Sequence, residues 1–207
     1  CKTDEFIEIH GSGRTDTGVH ARGQIANVWL DTNMSTDSIK MYLNKYLPED
    51  IRIKNVEIVG ADFHARLSAK KKTYSYTLDV GEKADVFLRR YSWNLCEKLD
   101  IDKMKNAAIL LVGKYDFRSL SDMKTKKSSV RTIYAIDINC NADIIKISYT
   151  GDGFLYHMVR KITALLVEIG AGRIEIHDVK EILDKRSRQA FKPLAPAKGL
   201  CLEEVFY

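Results

Sequence analysis

No run of apolar residues in this 207-residue chain approaches the length of a membrane span. The longest candidate, Ala164 to Val167 with its neighbours, is broken by Glu168, far short of the roughly 20 residues that cross a bilayer, so no membrane partner is expected. The opening residues lack the charged-then-apolar pattern of a secretory leader. Cysteine is sparse: Cys1, Cys96, Cys140 and Cys201 stand singly, with no C-x-x-C pair. That pattern argues against a disulfide framework or a clustered zinc site and points to the reducing cytosol. The five histidines also lack metal-ligand spacing, so no metal is expected. Low-complexity tracts and short internal repeats are missing as well.

What remains is an ordinary globular composition, with 45% hydrophobic and 29% charged residues. The length suits one large domain or two small ones, at about 150 residues per domain. Lys and Arg number 33 against 28 Asp and Glu, a net charge of +5. Clustered, this excess would attract a polyanion; by itself it identifies no partner.

Hydrophobic periodicity divides the chain into elements. Glu5 to His10 reads as a short strand and Gln24 to Leu30 as a second, with a glycine-rich loop, Gly11 to His20, between them. Ser35 is the N-cap of a helix in which Ile39, Tyr42, Leu43, Tyr46 and Leu47 recur on one face before Pro48. Ile51 to Val59 alternates at Ile51 and Ile53 before Asn55, and Thr73 to Val80 places Tyr74, Tyr76 and Leu78 at period two. Both are expected as strands. A second helix is expected over Ile101 to Val112, closing at Gly113, followed by an exposed loop, Tyr115 to Ser129, rich in serine and lysine. Arg131 to Asn139 and Ile144 to Thr150 form a hairpin pattern about Asn141-Ala142-Asp143. Leu155 to Ile169 is the longest apolar-periodic segment, with Gly170 and Gly172 behind it as stops. Asp178 to Leu183 gives a shorter helix and Gly199 to Tyr207 a last strand. Mixed strands and helices in two similar halves, with antiparallel turns rather than repeated crossovers, predict an α+β architecture.

Chemistry concentrates in Gly11-Ser12-Gly13-Arg14-Thr15-Asp16-Thr17-Gly18-Val19-His20. Its glycines permit positive φ and close approach by another molecule. On composition alone, a simple turn stabilised by Asp16 is an equal alternative. Gly13 and Gly18 have P-loop spacing, but Val19-His20 replaces the Lys and Ser/Thr that phosphate and metal binding require. Asp16-Thr17-Gly18 matches the triplet of an aspartic protease, whose two carboxylates share a proton. That dyad needs a second triplet or a symmetric partner and an apolar approach, and Arg14 puts a cation two residues away.

Gly13-Arg14-Thr15-Asp16-x-Gly18-Val19-His20-Ala21 resembles the catalytic motif of the tRNA pseudouridine synthase A family. Further blocks follow in the family's order: Phe63-His64-Ala65-Arg66, Tyr74-x-Tyr76 after a lysine run, Gly153-Phe154-Leu155-Tyr156-His157-Met158-Val159-Arg160, and Ala197-Lys198-Gly199-Leu200. Together they cover nearly the whole chain. Family members usually carry a further N-terminal segment with an Asp-Gly strand end and a Gly-Trp-Gln motif, so an N-terminal half lacking the family's first strand and helix is expected. Thr17, Lys161 and Ala164 stand where Ala, Asn and Gly are commoner, which bears on loop packing rather than on chemistry.

The resemblance implies two related α+β halves, 1–85 with the catalytic loop and 86–207 with a tRNA-binding loop and the Arg160 helix. Their sheets would join into one extended antiparallel surface with helices packed on one side and the active-site cleft between the halves. It implies a cytoplasmic homodimer acting on tRNA, needing no cofactor and no metal: uracil in the anticodon stem-loop is detached from its ribose, rotated and rejoined through carbon. Asp16 would be the catalytic carboxylate, nucleophilic or charge-stabilising against the sugar, and Arg160 the cation that pairs with it; a solvated helix arginine is the plainer account of Arg160. Tyr74 would offer its face to the extruded base, unless it is core like Tyr76. Arg14 would fill the gap left by the flipped nucleotide, unless it is an ordinary surface-loop arginine. The resemblance assigns tRNA contacts to Phe63, His64, Ala65, Arg66 and Leu67, and to the loop Met123, Lys124, Thr125, Lys126 and Lys127, whose lysines each neutralise a phosphate without reading sequence. Lys70-Lys71-Lys72 and Lys185-Arg186 with Arg188 add charge of a kind usual on a solvated surface. A catalytically inert RNA-binding fragment would retain these basic loops without the chemistry.

Overall fold

The structure is a computed structural model that describes residues 7–125 and 127–207. In chain order its elements are β1 (Ile9–Gly11), β2 (His20–Ala21), β3 (Ala26–Val28), α1 (Thr36–Tyr46), β4 (Lys71–Asp79), β5 (Trp93–Asn94), α2 (Ile101–Ile109), β6 (Gly113–Asp116), β7 (Val130–Asn141), β8 (Ile144–Gly151), α3 (Met158–Gly170), α4 (Asp178–Asp184) and β9 (Leu200–Phe206). Backbone contacts divide them into two compact units. The smaller holds the residues up to Ser12 and Ile25–Ser68; the larger holds Gly13–Gln24 and Ala69–Tyr207. Among the described residues no helix is long and apolar enough to cross a membrane.

In the smaller unit β1 and β3 pair antiparallel, Ile9 opposite Val28 and Gly11 opposite Ala26. Both strands are shorter than the periodicity suggested, and Glu5 and Phe6 lie outside the described residues. α1 forms as expected: the Ser35 hydroxyl accepts from Ser38 N, and Asp37 and Lys45 sit at the helix ends that favour their charges. None of its residues is buried; Met41 is 68% and Tyr46 66% exposed. The strand expected over Ile51 to Val59 is absent, and no ladder forms there. Instead the Asn44 side chain donates to Ile53 O at 2.9 Å and accepts from Ile53 N at 2.8 Å, so one amide replaces a partner strand. Two alternating isoleucines were too short a pattern to specify a face.

The larger unit is built on a seven-stranded sheet in the order β2-β9-β4-β8-β7-β6, with β5 also paired to β4. The long pairings are antiparallel; the short β2–β9 and β4–β5 pairings are parallel. Register places Tyr74, Tyr76 and Leu78 of β4 opposite Tyr149, Ile147 and Ile145 of β8, and Tyr74 and Tyr76 opposite Leu202 and Leu200 of β9. These positions share one face and form the core with α3 and α2. The opposite face carries Thr73, Ser75, Lys146, Ser148 and Thr150, the alternation of a sheet covered on one side. Tyr149 Oη and Thr163 Oγ1 lie 2.7 Å apart in the core, fixing α3 on β8, and burial raises that phenol's pKa. Tyr76 is fully buried and donates its hydroxyl to Pro196 O at 2.6 Å. At Gly199 a Cβ would lie 2.5 Å from the Tyr76 ring, so glycine there permits the close approach of β9 to β4.

α3 begins at Met158, later than expected, and Gly170 closes its last turn while Gly172 (φ 73°) supplies the left-handed stop. The hairpin turns at Ala142 (φ 49°). The exposed loop expected over Tyr115 to Ser129 is corrected more heavily. It starts inside β6, and Phe117, Leu120, Ser119, Ser121 and Ser129 are buried. Serine misled because a buried hydroxyl is tolerated once hydrogen-bonded: Ser121 donates to Arg118 O, and Ser119 accepts from Ser187 N.

On the polar face Glu203 accepts from the Ser75 hydroxyl at 2.6 Å and from Lys146 at 2.9 Å, with Arg22 at 3.9 Å. Burial alone would raise its pKa; those hydrogen bonds and cations outweigh it and hold the carboxyl below its ordinary value. A depressed folded-state pKa stabilises fully above the unfolded value of about 4.3 and is lost as pH falls through the folded value. Thermal midpoints measured down the acid limb should therefore fall less steeply for Glu203→Gln than for the native chain. Parallel acid limbs would show that Glu203 adds no pH-dependent stability.

Candidate active site

From Gly13 onward the glycine-rich loop belongs to the larger unit. Gln24 donates from its side chain to Gly13 O at 2.9 Å, and on the far side of the loop β2 pairs with β9. Between them the loop turns: Val19 N donates to Asp16 O at 3.0 Å and Gly18 takes φ 82°. The turn leaves the Asp16 side chain 24% exposed.

Arg160 meets it from the first turns of α3. Its Nη1 donates to Asp16 Oδ2 at 2.8 Å while its Nε donates to Ala195 O at 2.7 Å, a two-pronged grip that aims the guanidinium. Tyr74 is half-buried, packs edge-on against Phe154 with ring centroids 5.3 Å apart, and has its phenol pushed up to about 12, by burial first and then by the charge of Asp16. It therefore keeps its proton at neutral pH. Asp16, Arg160 and Tyr74 thus gather in one place from a loop, a helix and a strand.

Three further side chains join them. His157, at φ 63°, occupies the left-handed region immediately before α3. Its Nδ1 lies 2.7 Å from Asp122 Oδ2 and its Nε2 3.3 Å from Asp16 Oδ2, and Tyr156 stacks on the ring at 3.7 Å between centroids. Lys161, almost wholly buried, donates to Phe191 O at 2.7 Å and pairs with Asp122 Oδ1 at 3.0 Å. Burial would raise the Asp122 carboxyl, but the hydrogen bonds and charges of His157 and Lys161 outweigh it and lower its pKa. The result is a row, Lys161, Asp122, His157, Asp16, Arg160, in which each carboxylate lies between two nitrogen-bearing side chains.

This geometry meets an independent finding. The family model described as tRNA pseudouridine synthase matches residues 2–68 and 107–207. The chain belongs to the tRNA pseudouridine synthase family. Among similar proteins, tRNA pseudouridine synthase A of Clostridium kluyveri is 45% identical over 99% of this chain and 84% of its own length. Tyrosine-containing β4 lies in the stretch that the family model skips, but these whole-chain relatives span it. tRNA pseudouridine synthase A of Bacillus sp. strain KSM-64 is 46% identical over 97% of this chain and 82% of its own, and tRNA pseudouridine synthase A 2 of Bacillus cereus is 44% identical over 96% and 82%.

The other residues that the synthase motifs suggested lie variously. Arg14 is exposed on the loop. Met123 packs against the core, whereas Lys124, Thr125 and Lys127 are exposed and Lys126 lies outside the described residues. In the smaller unit His64 forms a turn, its Nδ1 accepting from Arg66 N at 3.1 Å, and its ring stacks on His10. There Ala65 is buried, with its N donating to Asn27 Oδ1 at 2.8 Å; Phe63 is half-buried, and Arg66 and Leu67 are exposed. Among the described residues no three His, Cys, Asp or Glu side chains gather to hold a metal. His157 had no expected role beyond its place in the block that ends at Arg160, and Asp122 had none at all. Lys161, expected to bear on loop packing alone, instead lies near the start of the apolar α3 and reaches Asp122, and the sequence carries no signal for Asp122 beside the lysine loop.

Arg160 serves two acceptors at once, so the two obvious replacements should rank. Lys keeps a cation but cannot span both acceptors; Met strands the Ala195 carbonyl as well as Asp16, at a cost of about 1–3 kcal/mol. Single-turnover rate and thermal midpoint should both fall in the order native, Arg160→Lys, Arg160→Met. Equal rates for the three would separate Arg160 from the chemistry.

Proposed function

We propose that this chain isomerises uridine to pseudouridine in the anticodon stem-loop of tRNA, with Asp16 acting on the ribose and Arg160, Tyr74 and Arg14 serving it. The Arg160–Asp16 pair carries the reading, because a solvent-facing turn aspartate would need no half-buried cation aimed at it from a helix. Both of its short contacts fall on Oδ2. Oδ1 is then the oxygen turned to the sugar, as nucleophile or as charge stabiliser. The N1–C1′ bond breaks, the freed uracil turns, C5 bonds C1′, and the proton lost from C5 is balanced by the one gained at N1. No cofactor enters this balance. Tyr74, with its proton retained, gives the detached base an aromatic surface while it turns, and Arg14, exposed on the loop, takes the place of the extruded nucleotide.

Charge supports an RNA substrate. A cavity of about 360 Å³ beside Asp122 is lined by Lys124, Tyr156, Lys161, Arg188, Gln189 and Lys192, and Lys124, Arg188 and Lys192 pair with no carboxylate among the described residues. Phosphates of a bound strand would neutralise them, along with Lys126 and Lys127 of the Met123 loop, where Met123 and Thr125 would add uncharged contacts; Phe63 to Leu67 would form the second tRNA-holding segment. The reading includes related halves 1–85 and 86–207, a homodimer and a cytosolic location. Exposed Trp29, Met41 and Tyr46 on the smaller unit support association, and the free thiols of Cys96, Cys140 and Cys201 fit a reducing compartment.

Asp16→Asn keeps the shape and removes the charge, so pseudouridine formation should cease while tRNA affinity stays near native. Native turnover by that variant removes Asp16 from the mechanism, and a native chain that binds tRNA without turnover would be an inert RNA-binding fragment. Separately, tRNA affinity should fall steeply with salt, and replacing Lys124, Lys126 and Lys127 together by Ala should flatten the slope by roughly two to three units, at about −0.7 to −0.9 per phosphate. An unchanged slope places the RNA elsewhere.

A further inference from the structure

We infer that His157 is a positioning residue for Asp16, held in its working orientation by Asp122; this rests on the reading of Asp16 as the catalytic carboxylate. Three observations converge on it. The ring bridges two carboxylates, Nδ1 at 2.7 Å from Asp122 Oδ2 and Nε2 at 3.3 Å from Asp16 Oδ2. Its backbone occupies a conformation that costs a non-glycine residue free energy, at φ 63°. And Lys161, 2% exposed inside α3, is committed to holding Asp122 and Phe191 O, a costly burial for a cation.

The chemistry of the bridge follows from its geometry. With an anionic oxygen beside each ring nitrogen, the doubly protonated ring is the form that donates on both sides. Arg160 and His157 then approach the same oxygen, Asp16 Oδ2, from two directions. One contact leaves a carboxylate free to swing about it; two fix the plane and hold Oδ1 toward the substrate. Asp122 fixes the ring's own rotation, Lys161 fixes Asp122, and Tyr156 covers one ring face at 3.7 Å between centroids.

The charged or polar side chains set around the ring are Asp16 on the loop, Arg160 and Lys161 on α3, Asp122 ahead of β7, Tyr156 on the ring face and Tyr74 on β4 beside Asp16. Burial would raise the Asp122 carboxyl, but His157 and Lys161 outweigh it and hold it below its ordinary value, so the group that orients the ring is an anion.

The test is the single-turnover rate of pseudouridine formation at saturating enzyme, with tRNA affinity measured beside it, for the native chain, His157→Asn, Asp122→Asn and the double variant, with Asp16→Asn alongside. Asn tolerates the left-handed backbone, and Asp122→Asn keeps the shape of the carboxylate, so it carries the test should His157→Asn fail to fold. Each single variant should lose about 10- to 100-fold in rate, the scale at which orienting partners act, with tRNA affinity near native. The double variant should be no slower than the slower single one, because the two residues act in series. Native rates in both single variants, losses that appear in tRNA affinity rather than in rate, or losses that multiply in the double, overturn the inference. If Asp16→Asn itself turns over at the native rate, the reading of Asp16 has failed first; an inert Asp16→Asn beside an unimpaired His157→Asn sinks the positioning role alone.

Discussion

A half-buried arginine in contact with both a backbone carbonyl and a carboxylate constrains everything around it. Arg160 donates to Ala195 O and to Asp16 Oδ2, and neither acceptor is close to it in sequence. For both bonds to form, α3 must present that residue at one rotation and one height. The helix is buried almost all round, and Thr163 meets Tyr149 across the core, so its rotation is set by packing rather than by the site. Turning α3 by one residue, about 100°, would carry Arg160 away from the loop.

The sheet does the complementary work. Tyr74, Tyr76 and Leu78 stand on one face of β4, and their burial deepens along the strand from the half-exposed Tyr74 to the sealed Tyr76 and Leu78. The same alternation that builds the core thereby delivers one aromatic ring to its rim, where Asp16 lies. A polar tip and an apolar body suit that boundary. Glycine at 199 lets β9 lie close to the Tyr76 ring, and β9 in turn carries β2 and the loop.

Much of this was legible in the residues, and the reasons differ from element to element. α1, β4, the β7–β8 hairpin and α3 were readable because each has a long period or a defined cap. The 51–59 segment was not, because two isoleucines do not distinguish a ladder from a single asparagine amide that substitutes for one. The polar stretch after β6 misled because composition cannot show that Ser119 and Ser121 hydroxyls already have partners inside the fold. At the site, Asp16, Arg160 and Tyr74 lie in blocks whose order is itself a pattern. Asp122 could not be found that way: its importance comes from a histidine 35 residues later and a lysine just beyond it, a relation that exists only after the sheet and helix have met.

The parallel pairing of His20 and Ala21 with Cys201 and Leu202 ties the loop near the beginning of the chain to its last strand. During synthesis the segment bearing Asp16 leaves the ribosome well before β9, the strand on which β2 pairs. Such long-range closure is slow compared with local folding. A chain stopped short of β9 therefore lacks the strand that anchors the Asp16 loop, even where its central hairpin and helices have all been made.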